Sequence, residues 1–142
     1  MRVMVLVKSD ERTEAGDLGE EREYAEMGMF NEELVNAGVM LAGEGLHPSS
    51  KGARIRFGGA SPTVTEGPFP GPRGLVAGFW LWKVDSLEEA IDWARRAPFT
   101  EGAELEIRQV MEEDDFGDAL TPGVREQEKR LRERTDALRK AS

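Results

Sequence analysis

The stretch LVAGFWLWKV, residues 75–84, decides the fold. Valines, a phenylalanine and two tryptophans in one short run make a β-strand, because such side chains fit a pleated and largely buried surface. A second run, RVMVLVK at residues 2–8, has the same character. Side chains alternate across a strand, so Val3, Val5 and Val7 leave one face of the sheet, and Met4 and Leu6 leave the other. In the 75–84 strand, Phe79 and Leu81 oppose Trp80 and Trp82 in the same way. Both faces of the sheet are apolar, and each needs a cover.

Working outward, Tyr24, Met27, Leu34 and Ala37 recur near helical spacing with Phe30 close by, which predicts a first helix. Glu20, Glu21 and Glu23 favour the positive end of its dipole, and Gly38 suits its C-terminal cap. The polar segment from Asp10 to Gly19 reads as a loop. A short strand over 39–43 follows, and then the loop Glu44-Gly45-Leu46-His47-Pro48. Residues 53–57 and 63–65 read as a polar hairpin turning at Gly58-Gly59. Three prolines and three glycines between Gly67 and Gly74 exclude regular structure there. Ser86 and Glu89 form a capping box for a second helix whose apolar stripe is Leu87, Ala90, Ile91 and Ala94. Alternation of Leu105 and Ile107 with charged residues predicts a last strand over 103–111.

The fold class is therefore α+β, ferredoxin-like βαββαβ with an inserted β-hairpin. The domain is expected over 1–111, with an acidic linker and charged helical tail over 112–142. In that tail Val124, Leu131 and Leu138 fall seven apart, a narrow stripe suited to a protein partner through 119–142 or to a solvated helix held by ion pairs.

A formal net charge of −9 repels phosphate backbones, so no nucleic-acid partner is expected. The apolar runs are far shorter than the ~20 residues that a membrane helix requires, so none is expected to span a bilayer. The absence of cysteine excludes disulfides and thiolate chemistry and fits a cytoplasmic location. Two helices cover one sheet face only, and the other predicts a homodimer, the alternative cover being the tail helix folded back over its own sheet. Met4, Leu6, Trp80 and Trp82 are assigned to that second face. Covering a patch of several hundred Å² at ~25 cal/mol per Å² contributes on the order of 10 kcal/mol before association costs.

Candidate chemistry is sparse. His47, the single histidine, suits an acid, a base or an ordinary surface residue. Metal ligands would have to be His47 with Glu44 or Glu66, at no recognisable spacing, so no metal and no cofactor are expected. Ser49 and Ser50 lie near His47 without an evident orienting acid. Glu66 stands at the mouth of a restricted turn, either bracing it or acting as a catalytic carboxylate. Arg108 and Glu106 point toward the face assigned to the dimer, as cleft residues or in intersubunit ion pairs.

With Glu66-Gly67-Pro68-Phe69, the Gly43-Glu44-Gly45-Leu46-His47-Pro48 loop, Glu33-Leu34 before Ala37-Gly38-Val39, Gly78-Phe79-Trp80 and Glu106-Ile107-Arg108, the chain resembles the YCII-related proteins. The likeness runs over residues 1 to about 111, and is to the subgroup named for a DGPF motif. The resemblance implies a dimeric α+β barrel with a cleft at the paired sheets, and relatives encoded beside extracytoplasmic-function sigma factors. Glu66 stands here for the motif's aspartate, one methylene longer. Pro70-Gly71-Pro72-Arg73 replaces a stretch usually rich in glutamate and lysine.

Two functions are expected from these residues. In the first, a small organic molecule is bound or transformed in the dimer cleft, with Glu66 and His47 as catalytic groups and Glu44, Gly67, Pro68, Phe69, Trp80 and Arg108 contacting it. In the second, a non-catalytic regulatory protein uses the dimer and its tail to engage a partner. A cofactor-free monooxygenase is an analogy from architecture alone.

Overall fold

The structure, a computed structural model, describes all 142 residues. The chain forms two compact units, Met1–Val110 and Met111–Ser142. The first holds strand β1 (Arg2–Lys8), the single helical turn α1 (Glu11–Glu14), helix α2 (Glu21–Asn36), strands β2 (Met40–Gly45), β3 (Ala53–Arg56), β4 (Thr63–Glu66) and β5 (Val76–Lys83), helix α3 (Leu87–Arg95) and strand β6 (Leu105–Gln109).

Four strands make an antiparallel sheet in the order β2-β5-β1-β6, and β3 pairs with β4 in a separate hairpin. This is the α+β, ferredoxin-like arrangement, with the hairpin inserted between the second and third strands of the main sheet. Apolar side chains at Val3, Val5, Trp80 and Trp82 pack under α2 and α3 with Phe30, Leu34, Val39, Val84 and Ala90. Phe30 meets Trp80 and Trp82 edge-on, at centroid separations of 5.9 Å and 6.5 Å, a geometry in which ring edges face the electron-rich ring faces.

Register corrects the expected distribution of side chains. Val3 pairs with Trp82 and Val5 with Trp80, whereas Met4 pairs with Leu81 and Leu6 with Phe79. Directly opposed residues share a face. The two tryptophans therefore lie with the valines beneath the helices, and both are buried. The face without helices carries Met4, Leu6, Phe79 and Leu81, all half-buried. Alternation fixes two sets within each strand, but only the pairing between strands fixes which sets coincide.

Two smaller differences concern the region before and within α2. Asp10–Gly19 is not all loop: Asp10 caps α1 by accepting a hydrogen bond from Thr13 N at 2.8 Å. In α2 the buried residues are Phe30 and Leu34, while Tyr24 is exposed and donates its hydroxyl to Leu18 O. At 100° per residue Tyr24 lies at the margin of the Met27, Phe30, Leu34 stripe rather than within it.

The second unit contains an irregular 3₁₀ segment, Glu113–Ala119, and helix α4 (Pro122–Ala141). Thr121 caps α4, accepting from Val124 N at 3.3 Å. Arg125 braces the entry, donating to Leu120 O and Gly117 O and pairing with Glu113. Val124, Leu131 and Leu138 are all exposed. No helix is long and apolar enough to cross a membrane.

Candidate functional site

Three glycines meet on the helix-covered face, Gly43 and Gly78 under close neighbours and Gly45 under open space. Gly45 pairs with Gly78 and Gly43 with Trp80, where β2 runs beside β5. With no side chains at these points, the sheet has a floor of bare main chain. A Cβ at Gly43 would lie 2.7 Å from Met40 Cε and 2.9 Å from Trp80 Cδ1, so only glycine fits that floor unaltered. A Cβ at Gly45 would meet nothing within 4 Å.

Above the floor stands a cavity of about 310 Å³. It is lined by Met27 and Asn31 of α2, by Met40 and Trp80, and by Val7 and Phe99. Its volume falls at the lower end of the range for small-molecule sites. Trp80 is held in place from two directions: its ring meets Phe99 edge-on at 6.2 Å, and its Nε1 donates to Asn31 Oδ1 at 2.9 Å. Trp82 differs, for its Nε1 is buried without an acceptor.

Of the residues expected to contact a ligand, Glu44 and Trp80 border this cavity. Glu44 is in register with Phe79, on the face opposite Trp80 and Gly43. Arg108 lies opposite Met4 on the helix-free face and pairs with Glu106 of its own strand at 3.4 Å.

The Glu66-Gly67-Pro68-Phe69 turn lies elsewhere and is built as a latch. Its Gly67-Pro68 peptide is cis. Gly67 N donates to Gly52 O at 2.9 Å, and Phe69 N donates to Ser49 Oγ at 2.9 Å. A Cβ on Gly67 would fall 1.8 Å from Ser49 O, so the two turns touch main chain to main chain. Arg54 lays its guanidinium 4.0 Å from the Phe69 ring centroid, a cation–π contact. Glu66 is exposed at the end of β4, paired in the ladder with Ala53. His47 is exposed in the loop after β2, whose course is fixed where Leu46 N donates to Ala77 O at 2.8 Å.

Sequence reasoning missed the residue that organises this latch. Glu14 accepts from Ser49 N at 2.9 Å and from Ser49 Oγ at 2.5 Å, so Ser49 is held between this carboxylate and the Phe69 amide. Asp10 positions Glu14 by capping α1, and the Thr13 amide holds the Asp10 carboxyl below its ordinary range. Arg12 and Asp17 pair at 3.0 Å at the far end of that turn. The Gly19 amide and the Arg12 guanidinium lower the Asp17 carboxyl in turn. No cluster of three or more histidine, aspartate or glutamate side chains is arranged to hold a metal ion.

Residues 1–114 match the YCII-related domain. The chain belongs to the YCII-related family. The match covers the sheet, both packed helices, the cavity and the latch, and ends before α4. No curated protein matches the sequence. In this YCII-related chain the cavity and the latch are separate constructions. The latch ties α1, the Ser49 turn and the EGPF turn together, and the cavity is formed by α2, β2 and β5.

Proposed function

We propose that this YCII-related protein binds a small organic molecule in the cavity beside Trp80, and that it works as a cytoplasmic homodimer paired through the open face of its sheet. The observation that carries the ligand reading is the glycine floor. Met40 and Trp80 exclude a side chain at Gly43 and the Glu44 carbonyl excludes one at Gly78, whereas Gly45 is bare although a Cβ there would meet nothing within 4 Å, and a bare position in a strand costs stability that a bound molecule can restore. An apolar cavity with one well-placed polar group is the usual form of a small-molecule site.

Gly45→Leu tests this, because Gly45 borders the cavity and a Cβ there would meet nothing within 4 Å. A metabolite panel followed by thermal shift should contain compounds that raise the Tm of the wild type and leave Gly45→Leu unmoved. Equal stabilisation of both proteins, or of neither, refutes the site. Homodimer formation is supported by Met4, Leu6, Phe79 and Leu81, which together give the helix-free face an apolar centre. Sedimentation at micromolar concentration should report twice the chain mass of 15.8 kDa, and Phe79→Lys should restore the monomer.

The tail favours a second reading, that of a regulatory interaction protein. Its support is the exposed Val124, Leu131 and Leu138 stripe of α4. Under that reading, deleting residues 119–142 abolishes partner co-purification and leaves any ligand-induced stabilisation intact. An unchanged set of partners removes it.

A further inference from the structure

The hydrogen bond between Trp80 and Asn31 constrains what the cavity accepts. An indole nitrogen can only donate, so the Asn31 amide must turn its oxygen toward Trp80. Its Nδ2 then carries two N–H groups, and no protein acceptor takes either of them. Asn31 borders the cavity, among Met27, Met40, Trp80 and Phe99. Thioethers and aromatic rings favour an aromatic body by dispersion and sulfur–ring contacts.

Charge is disfavoured. Glu44 is the single ionisable residue bordering the cavity, and its register sends its side chain from the opposite face of the sheet. A charged ligand would lose hydration without gaining a counter-charge. We infer that the ligand is a neutral molecule with a small aromatic body and one hydrogen-bond acceptor, a carbonyl or ether oxygen, to which Asn31 Nδ2 donates. This rests on the reading of the cavity as a ligand site and adds the chemistry of its occupant.

Three probes of nearly equal shape separate the possibilities: acetophenone, ethylbenzene and protonated 1-phenylethylamine, titrated against tryptophan fluorescence. The wild type should bind acetophenone about three- to tenfold more tightly than ethylbenzene, the advantage of one hydrogen bond, and the amine no better than ethylbenzene. Asn31→Asp keeps an oxygen facing Trp80 while removing the Nδ2 donors, so the ketone's advantage should vanish in it. Equal binding of ketone and hydrocarbon by the wild type overturns the assigned acceptor, as does an advantage that survives Asn31→Asp. Tightest binding of the amine, lost in Glu44→Gln, overturns neutrality. These outcomes leave the site itself standing, whereas no binding of any probe removes the site and the inference together. Should Asn31→Asp fail to fold, the wild-type comparison of ketone with hydrocarbon decides.

Discussion

Replacing Gly67 with alanine places a methyl group where there is main chain. The added Cβ would lie 1.8 Å from Ser49 O and 2.6 Å from Ser49 C, and real Cβ contacts stay beyond 3.0 Å. The obstacle is a carbonyl of an ordered turn, not the end of a flexible side chain, so one turn must move by more than an ångström. That movement breaks the Gly67 N to Gly52 O bond and the Phe69 N to Ser49 Oγ bond. At about 1 kcal/mol each, with overpacking of about 1–3 kcal/mol in addition, the substitution should cost about 3–5 kcal/mol. For a chain of this length, that corresponds to a Tm lower by about 10–17 °C. Gly74→Ala is the control, since its Cβ would meet nothing within 4 Å, and its Tm should stay within about 2 °C of the wild type. Differential scanning calorimetry of the three proteins gives the answer. A Gly67→Ala Tm equal to that of the control would show that the two turns are not in contact. It would also refute the view that this motif is a structural latch.

Other substitutions probe the helix, the aromatic core and the cap. Gly28→Ala, in the middle of α2 with open space around its Cβ, should stabilise the protein by about 0.5–1 kcal/mol through backbone entropy, measured by urea denaturation. Trp80→Phe leaves Asn31 Oδ1 without its donor, whereas Trp82→Phe removes a buried N–H that already lacks an acceptor. Ring for ring, Trp82→Phe should therefore cost about 1–2 kcal/mol less than Trp80→Phe, and the reverse order would contradict these assignments. The Asp10 carboxyl is held below its ordinary value of 3.8 by the Thr13 amide, so its charged form is the stabilising one. Its contribution is fully present above that value and is lost as the pH falls through the lowered one. Asp10→Ala should thus lower the Tm near neutrality, and the difference from wild type should close in strong acid.

The order of elements was legible because its signals are local. Ser86 and Glu89 announce the start of α3 three residues apart, and Ser86 Oγ accepts from Glu89 N at 3.1 Å. The alternating runs at 2–8 and 75–84 became the two central strands. What failed was the matching of faces across strands. Placing Met4 and Leu6 with Trp80 and Trp82 requires a pairing one residue away from the one that forms. Register depends on contacts between residues more than 70 positions apart, and single-strand alternation carries no trace of it.

The candidate site was half visible for the same reason. Trp80 and Glu44 lie on strands that could be read directly, but the space between them exists because Gly45 and Gly78 meet in the ladder. Glu14 and Ser49, 35 residues apart, meet only in three dimensions. One signal was available and unused. Asn31 borders the Met27, Phe30, Leu34 surface of α2, and a partly buried polar side chain at the edge of an apolar stripe calls for a partner. The indole of Trp80 is that partner.

A direct measurement of the central claim is a ¹H–¹⁵N correlation spectrum of the full chain titrated with acetophenone. The three tryptophans give three indole N–H signals, of which Trp80 borders the cavity and Trp82 and Trp93 do not. A saturable shift of the Trp80 signal with the Trp93 signal stationary is the predicted result. Three signals that stay in place up to the solubility limit of the ketone, or that drift together without saturating, would contradict a ligand site at this cavity.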